Sequence, residues 1–161
     1  MVLRAKAGER KAFNELYQRY KRPILNHVYR FIGNFAHAEE LTQEAFVRAY
    51  LNIHRYEPRA KFSSWLYQIA TNLAKNFLRD TYRERRQIIS AEESATDAKS
   101  QQRLIESIED QAKKADEALQ QKETEGLIQE AINQLPHHLK EALILCDIEG
   151  ISYEEAAKIM K

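Results

Sequence analysis

Gln68, Asn72, Lys75, Arg79 and Arg83 recur at intervals of three and four residues, so a helix through them carries amides and cations along one face. The rings of Tyr56, Phe62, Trp65 and Tyr67 stand just before that face and at its start. Cations hold phosphates and rings stack on exposed bases, which is what binding single-stranded nucleic acid requires. Asn72 and Asn76, beside Lys75 and Arg79, add amides that can read base edges while the cations hold the backbone. Two readings of this pattern stay open: a nucleic-acid groove, and a solvated helix lying over core aromatics.

The charge distribution favours the first. The formal net charge is +1, but residues 1–86 hold 17 Lys+Arg against 8 Asp+Glu, about +9, while residues 87–161 hold 8 against 16, about −8. A division of this size points the first half at a polyanion. Other chemistries find little support. His27, His37, His54, His137 and His138 lack two-ligand helical spacing with a further ligand, so no metal is expected. Cys146 is a single thiol at an apolar position, which reads as a small buried hydrophobe in a reducing, cytoplasmic compartment. Neither a Ser-His-Asp order, a glycine-rich phosphate loop nor a carboxylate pair stands out, which argues against an enzyme and against a cofactor. No apolar run approaches the roughly 18–20 residues that span a bilayer, so membrane insertion is not expected.

The elements that position these residues are helical. With only four glycines and three prolines and 30% charged residues, the composition predicts an all-α chain. Phe13, Leu16, Tyr17, Tyr20, Ile24, Val28, Phe31 and Ile32 form one stripe from Lys11 to about Gly33, with a possible kink at Pro23. A second stripe runs through Leu41, Ala45, Phe46, Ala49 and Ile53 and ends before Glu57-Pro58. The third, Phe62, Leu66, Ile69, Leu73 and Phe77, lies opposite the basic face. Residues 87–123 turn to Ser, Ala, Gln, Asp, Glu and Lys and read as a long linker, partly helical at best. Beyond it come a short helix stopped by Pro136, another stopped by Gly150, and a last one opening at Ser152, whose S-x-x-E spacing with Glu155 is that of a capping box.

The stretch from Ala38 to Tyr50 (AEELTQEAFVRAY), followed by Phe62 to Arg79 (FSSWLYQIATNLAKNFLR), resembles region 2 of extracytoplasmic-function RNA polymerase sigma factors. Leu135-Pro136 and the run from Glu149 to Met160 resemble the start of region 4. The resemblance implies a helical bundle for region 2 (1–86), a linker (87–123), and a small incomplete helix-turn-helix domain (124–161). It implies a stress-response transcription-initiation factor that binds core polymerase and melts promoters. Glu40, Leu41, Gln43, Glu44 and Phe46 would then dock on the coiled coil of the β′ subunit. Arg48, Tyr56, Arg59, Lys61, Phe62, Ser63, Trp65, Asn72, Lys75, Asn76 and Arg79 would capture the non-template strand of the minus-10 element with a base flipped into a pocket. Melting costs a few kcal/mol per unstacked base, and stacking returns about 1–3 kcal/mol per base. The resemblance also implies an anti-sigma factor as partner, and a linker that threads through the polymerase.

The sequence departs from the family where the second, recognition helix of region 4 would follow, since it stops at Lys161. The expectation is a truncated or processed chain that cannot read a minus-35 element by itself. His37, where an acidic residue is common in the family, is a minor departure. Two competing readings remain: a sigma-like helical protein-interaction module without DNA function, and a duplex-binding helix-turn-helix regulator. The intact basic and aromatic face opposes the former, the absent recognition helix the latter.

Overall fold

Gly33 and Asn34 make the first sharp turn. In the computed structural model, which describes residues 1–59, 61–92 and 116–160, Gly33 adopts φ 71° and its amide bonds back to Tyr29 O at 2.7 Å. Asn34 then caps the next helix by accepting from the His37 amide at 3.0 Å. These two residues end α2 (Arg10–Ile32) and open α3 (Phe35–Asn52), after a short α1 (Val2–Lys6). Pro23 lies inside α2, which continues through it as one helix. A 3₁₀ turn, Ile53–Arg55, and the loop from Tyr56 lead to α4 (Phe62–Glu92).

Helices α2, α3 and α4 pack on one another around Ile24, Val28, Phe31, Phe46, Leu66 and Leu73. Ala12, Ala38, Ala45, Ala49, Ala70 and Ala74 are fully buried. Small side chains at these positions let the backbones approach closely, and larger rings fill the remaining space, with Tyr17 edge-on to Phe46 at 4.8 Å. The α4 helix runs past residue 86, where a linker was expected to begin. Neither glycine nor proline occurs between Pro58 and Gly126, so nothing local stops it. Residues 93–115, most of that expected linker, lie outside the described residues.

The C-terminal unit comprises α5 (Asp116–Gln134), α6 (His137–Ala142), a π-helical turn (Leu143–Ile148) and α7 (Tyr153–Ile159). Ile132, Ile144, Leu145, Ile151, Ala156 and Ile159 join the same apolar cluster as the bundle, so this unit is seated on α2 and α4. Its polar edge is fastened too. Gln129 Nε2 donates to Arg30 O at 3.0 Å, and Asn133 Oδ1 accepts from Gln129 at 3.2 Å and from Lys140 Nζ at 2.8 Å. Ser152 caps α7 by accepting from the Glu155 amide at 3.3 Å, as its spacing predicts; the Glu155 carboxylate points at Lys61, 3.6 Å away.

Candidate nucleic-acid interface

At about 100° per residue, α4 divides lengthwise into three stripes. Phe62, Leu66, Ala70, Leu73 and Ala74 face the core. Tyr67, Gln68, Thr71 and Lys75 form a flank beside it, and Trp65, Asn72, Asn76 and Arg79 form the third stripe. Asn72, Asn76 and Arg79 are exposed and Trp65 is half-buried. The face read from the spacing is thus divided: Asn72 and Arg79 stay on this stripe, while Gln68 and Lys75 lie on the flank.

Upstream of it, three rings brace one another: Tyr56 to Trp65 at 5.4 Å, Tyr56 to Phe62 at 5.7 Å and Phe62 to Trp65 at 5.7 Å between centroids. Tyr56 and Phe62 are buried, and burial pushes the Tyr56 hydroxyl above its ordinary value. Lys6 Nζ donates to Tyr56 O at 2.7 Å and ties α1 to the start of the loop. Of the three rings, Trp65 keeps the most exposed surface, while Tyr56 and Phe62 hold it in place. Arg59 and Lys61 are exposed on the loop, and Ser63 is half-buried at the helix start. Arg48, on α3, is exposed and paired with Glu44 one turn earlier.

The second stripe differs from expectation. Tyr67, one of the rings grouped as stacking candidates, is buried, and its hydroxyl donates to Glu149 Oε2 at 2.6 Å. Burial first, and this hydrogen bond second, push that hydroxyl far above the ordinary phenol range. His27, fully buried on α2, has Nε2 2.9 Å from Thr71 Oγ1 and Nδ1 3.6 Å from Glu149 Oε1. Lys75 Nζ lies 3.1 Å from Glu141 Oε1 and donates to Met160 O at 3.3 Å. That His27, Glu141 and Glu149 are the partners of this stripe escaped the sequence reading, which weighed His27 only as a metal ligand. The available signal was the opposite charge of the two halves, which does not say which carboxylate meets which cation.

The α3 residues expected to dock on polymerase divide in the same way. Glu40, Gln43 and Glu44 are exposed, whereas Leu41 and Phe46 are buried in the bundle core. The apolar surface that this helix presents includes Val47, 56% exposed, and Leu51, 63% exposed, along with Phe35 and Tyr50. Among the described residues, no helix is long and apolar enough to cross a membrane.

Among the described residues the chain is all-helical, and it carries a cationic, amide-bearing and aromatic stripe beside a second exposed helix edge. The sigma-70 region 2 family model matches residues 16–84 and the sigma-70 region 4 family model matches residues 125–161. The RNA polymerase sigma-H factor of Pseudomonas aeruginosa is 34% identical over 100% of this chain and 81% of the relative. The extracytoplasmic-function sigma factor SigW of Bacillus subtilis is 32% identical over 99% of the chain and 82% of its own length. Among solved structures, CnrH in complex with the cytosolic domain of CnrY superposes with a TM-score of 0.66 at 19% identity, covering 99% of this chain and 79% of that one. The sigma factor RpoE of Bartonella quintana, solved with the anti-sigma factor NepR, gives 0.62 at 21% identity, covering 93% and 83%. These two share the fold. The chain belongs to the extracytoplasmic-function sigma factors of RNA polymerase. Sigma factors are initiation subunits, not catalysts.

Proposed function

We propose that this sigma factor docks on core polymerase through the exposed edge of α3 and captures the non-template strand of the minus-10 element on the third stripe of α4. The observation that carries the reading is that Trp65, Asn72, Asn76 and Arg79 share one accessible stripe, entered by a loop bearing Arg59 and Lys61. Trp65 offers a stacking face held by Tyr56 and Phe62. Asn72 and Asn76 reach base edges, while Arg48, Arg59, Lys61 and Arg79 meet phosphates, with Ser63 closing the loop. Lys75 joins them once freed from Glu141. On α3, Glu40, Gln43 and Glu44 make the polar contacts to the β′ coiled coil, and Val47 and Leu51 add apolar area. Leu41 and Phe46 act from beneath by holding that edge in place. Residues 1–86 form the polymerase- and DNA-binding domain, and 124–161 a partial region 4 joined to it by 87–123. The chain acts in the cytoplasm, where polymerase and chromosome are, and an anti-sigma factor is a further partner.

The test is fluorescence anisotropy of a labelled non-template minus-10 oligonucleotide against holoenzyme assembled from this chain and bacterial core polymerase. Trp65→Ala should weaken binding by about tenfold or more, the equivalent of about 1–3 kcal/mol of stacking. Arg79→Ala should lower the salt dependence by about 0.7 in the log–log slope, one phosphate's worth for a single strand. Holoenzyme that forms but binds the oligonucleotide equally well with either variant would move DNA capture off this stripe.

A further inference from the structure

A cleft of about 370 Å³ lies where α2, the start of α4 and the C-terminal unit meet. Its volume falls in the range of small-molecule sites, roughly 300–1,000 Å³. Ser64, in the first turn of α4, lines it; the residue is only 9% exposed, and its hydroxyl has no hydrogen-bond partner among the described residues. Shielded hydroxyls are normally satisfied, so this one waits for an acceptor or donor from the cleft. The amides of that first turn come before the helix's own ladder, which opens with Trp65 N donating to Lys61 O at 3.2 Å. They put the positive end of a 31-residue helix at the same place.

The charges around the cleft say what it takes. Glu149 turns one carboxylate oxygen to the Tyr67 hydroxyl at 2.6 Å and the other towards His27 Nδ1, 3.6 Å away. Glu155 faces Lys61 at 3.6 Å. Both carboxylates are thus answered by the protein, whereas Arg19, on the α2 side, has no ion pair or hydrogen bond among the described residues. The unanswered groups are a guanidinium, a hydroxyl and a helix N-terminus, and all three suit an anion. Beside them lie the half-buried ring of Tyr20, Pro23 and the buried Ile151, which offer apolar surface. We propose that this cleft binds a small organic anion, with its carboxylate or phosphate head on Ser64, Arg19 and the first-turn amides of α4, and a ring-sized apolar body against Tyr20, Pro23 and Ile151. A single head satisfies Ser64 and Arg19 without the run of charge that a nucleic-acid strand would bring past Glu149 and Glu155. Lys61 and Ser63 border the cleft and belong to the DNA path described above; Arg19 and Ser64 do not.

The test titrates the isotope-labelled full chain and follows its amide chemical shifts. The probes are phenyl phosphate and benzoate, inorganic phosphate as a bare head, and benzylamine as a cation of similar size. Phenyl phosphate or benzoate should saturate and shift the amides of Ser63, Ser64 and Gly150 first. Ser64→Ala and Arg19→Gln should each weaken that binding by about tenfold or more, the loss of one hydrogen bond to a charged group. Arg19 is exposed, so its replacement keeps the test independent of folding, and circular dichroism checks the helix content of both variants. Inorganic phosphate should bind at least about tenfold more weakly than phenyl phosphate, because it leaves the apolar surface uncovered. Preference for benzylamine, equal binding of the bare and the ring-bearing phosphate, or saturation that neither variant weakens overturns the proposal. Absence of saturable binding by both organic anions overturns it as well. In holoenzyme, both variants should capture the minus-10 oligonucleotide as the parent does. A matching loss there would make the cleft a subsite for the DNA backbone, overturning the small-anion assignment and leaving the functional reading in place.

Discussion

Replacing Tyr67 by phenylalanine removes one oxygen and leaves the ring in place, so it isolates the hydrogen bond that joins the bundle to the C-terminal unit. The hydroxyl donates to Glu149 Oε2 at 2.6 Å across 82 residues of sequence, and the Glu149 side chain is only 11% exposed. A bond to a charged acceptor contributes about 1.5–3 kcal/mol, and its loss leaves a shielded carboxylate with less solvation than it needs. His27 Nδ1, 3.6 Å from the other carboxylate oxygen, retains part of the contact. The expected loss is therefore about 2 kcal/mol, at the lower end of that range. Urea unfolding followed by circular dichroism measures it, with an unchanged denaturant slope showing that the folded and unfolded ensembles are otherwise alike. Combining Tyr67→Phe with Glu149→Gln should give a total less than the sum of the two single losses by about 1 kcal/mol, because each removes the same bond. A loss under about 0.5 kcal/mol, or strict additivity, would refute the view that this contact fastens the unit. The pH dependence carries the same signature. The Tyr67 hydroxyl is raised above its ordinary 10.0, so the unfolded chain ionises first, and folding stability falls as pH rises past 10 in the parent chain and not in Tyr67→Phe.

Lys140 predicts a slope of opposite sign: burial lowers its ammonium from 10.5 to about 8, so the unfolded chain holds more protons between those values. Stability should therefore rise from about pH 8 to 10.5, and Lys140→Met should abolish that rise in urea titrations across the window. On α3, Phe46→Ala should cost about 3–5 kcal/mol of stability because the ring fills the bundle core. Gln43→Ala should leave the unfolding midpoint in place and weaken binding to core polymerase in the same anisotropy format. Gly33→Ala meets two obstacles, the positive φ and Asn133 Nδ2 3.1 Å from the added carbon. It should lower stability by about 1–2 kcal/mol, read as a shifted urea midpoint.

Much of the architecture follows from local chemistry. Apolar residues at three- and four-residue intervals define the long helices before any neighbour is known, and Gly33-Asn34, Pro136 and Gly150 stop them because backbone geometry leaves little alternative. The α4 face is legible for the same reason: Asn72, Asn76 and Arg79 share a side whatever packs behind them. The limit shows on α3, where Leu41 and Phe46 share a helix with Gln43 and Glu44 yet turn inward, because the bundle buries one side of α3 and leaves the other free. It shows again at Tyr67 and Lys75, whose partners Glu149 and Glu141 lie 82 and 66 residues away. Helical period decides which side chains share a face, and it holds over a few turns. Which surface covers that face depends on apolar area buried between distant segments, and here the tertiary structure alone places carboxylates from the acidic half against one stripe of the basic helix.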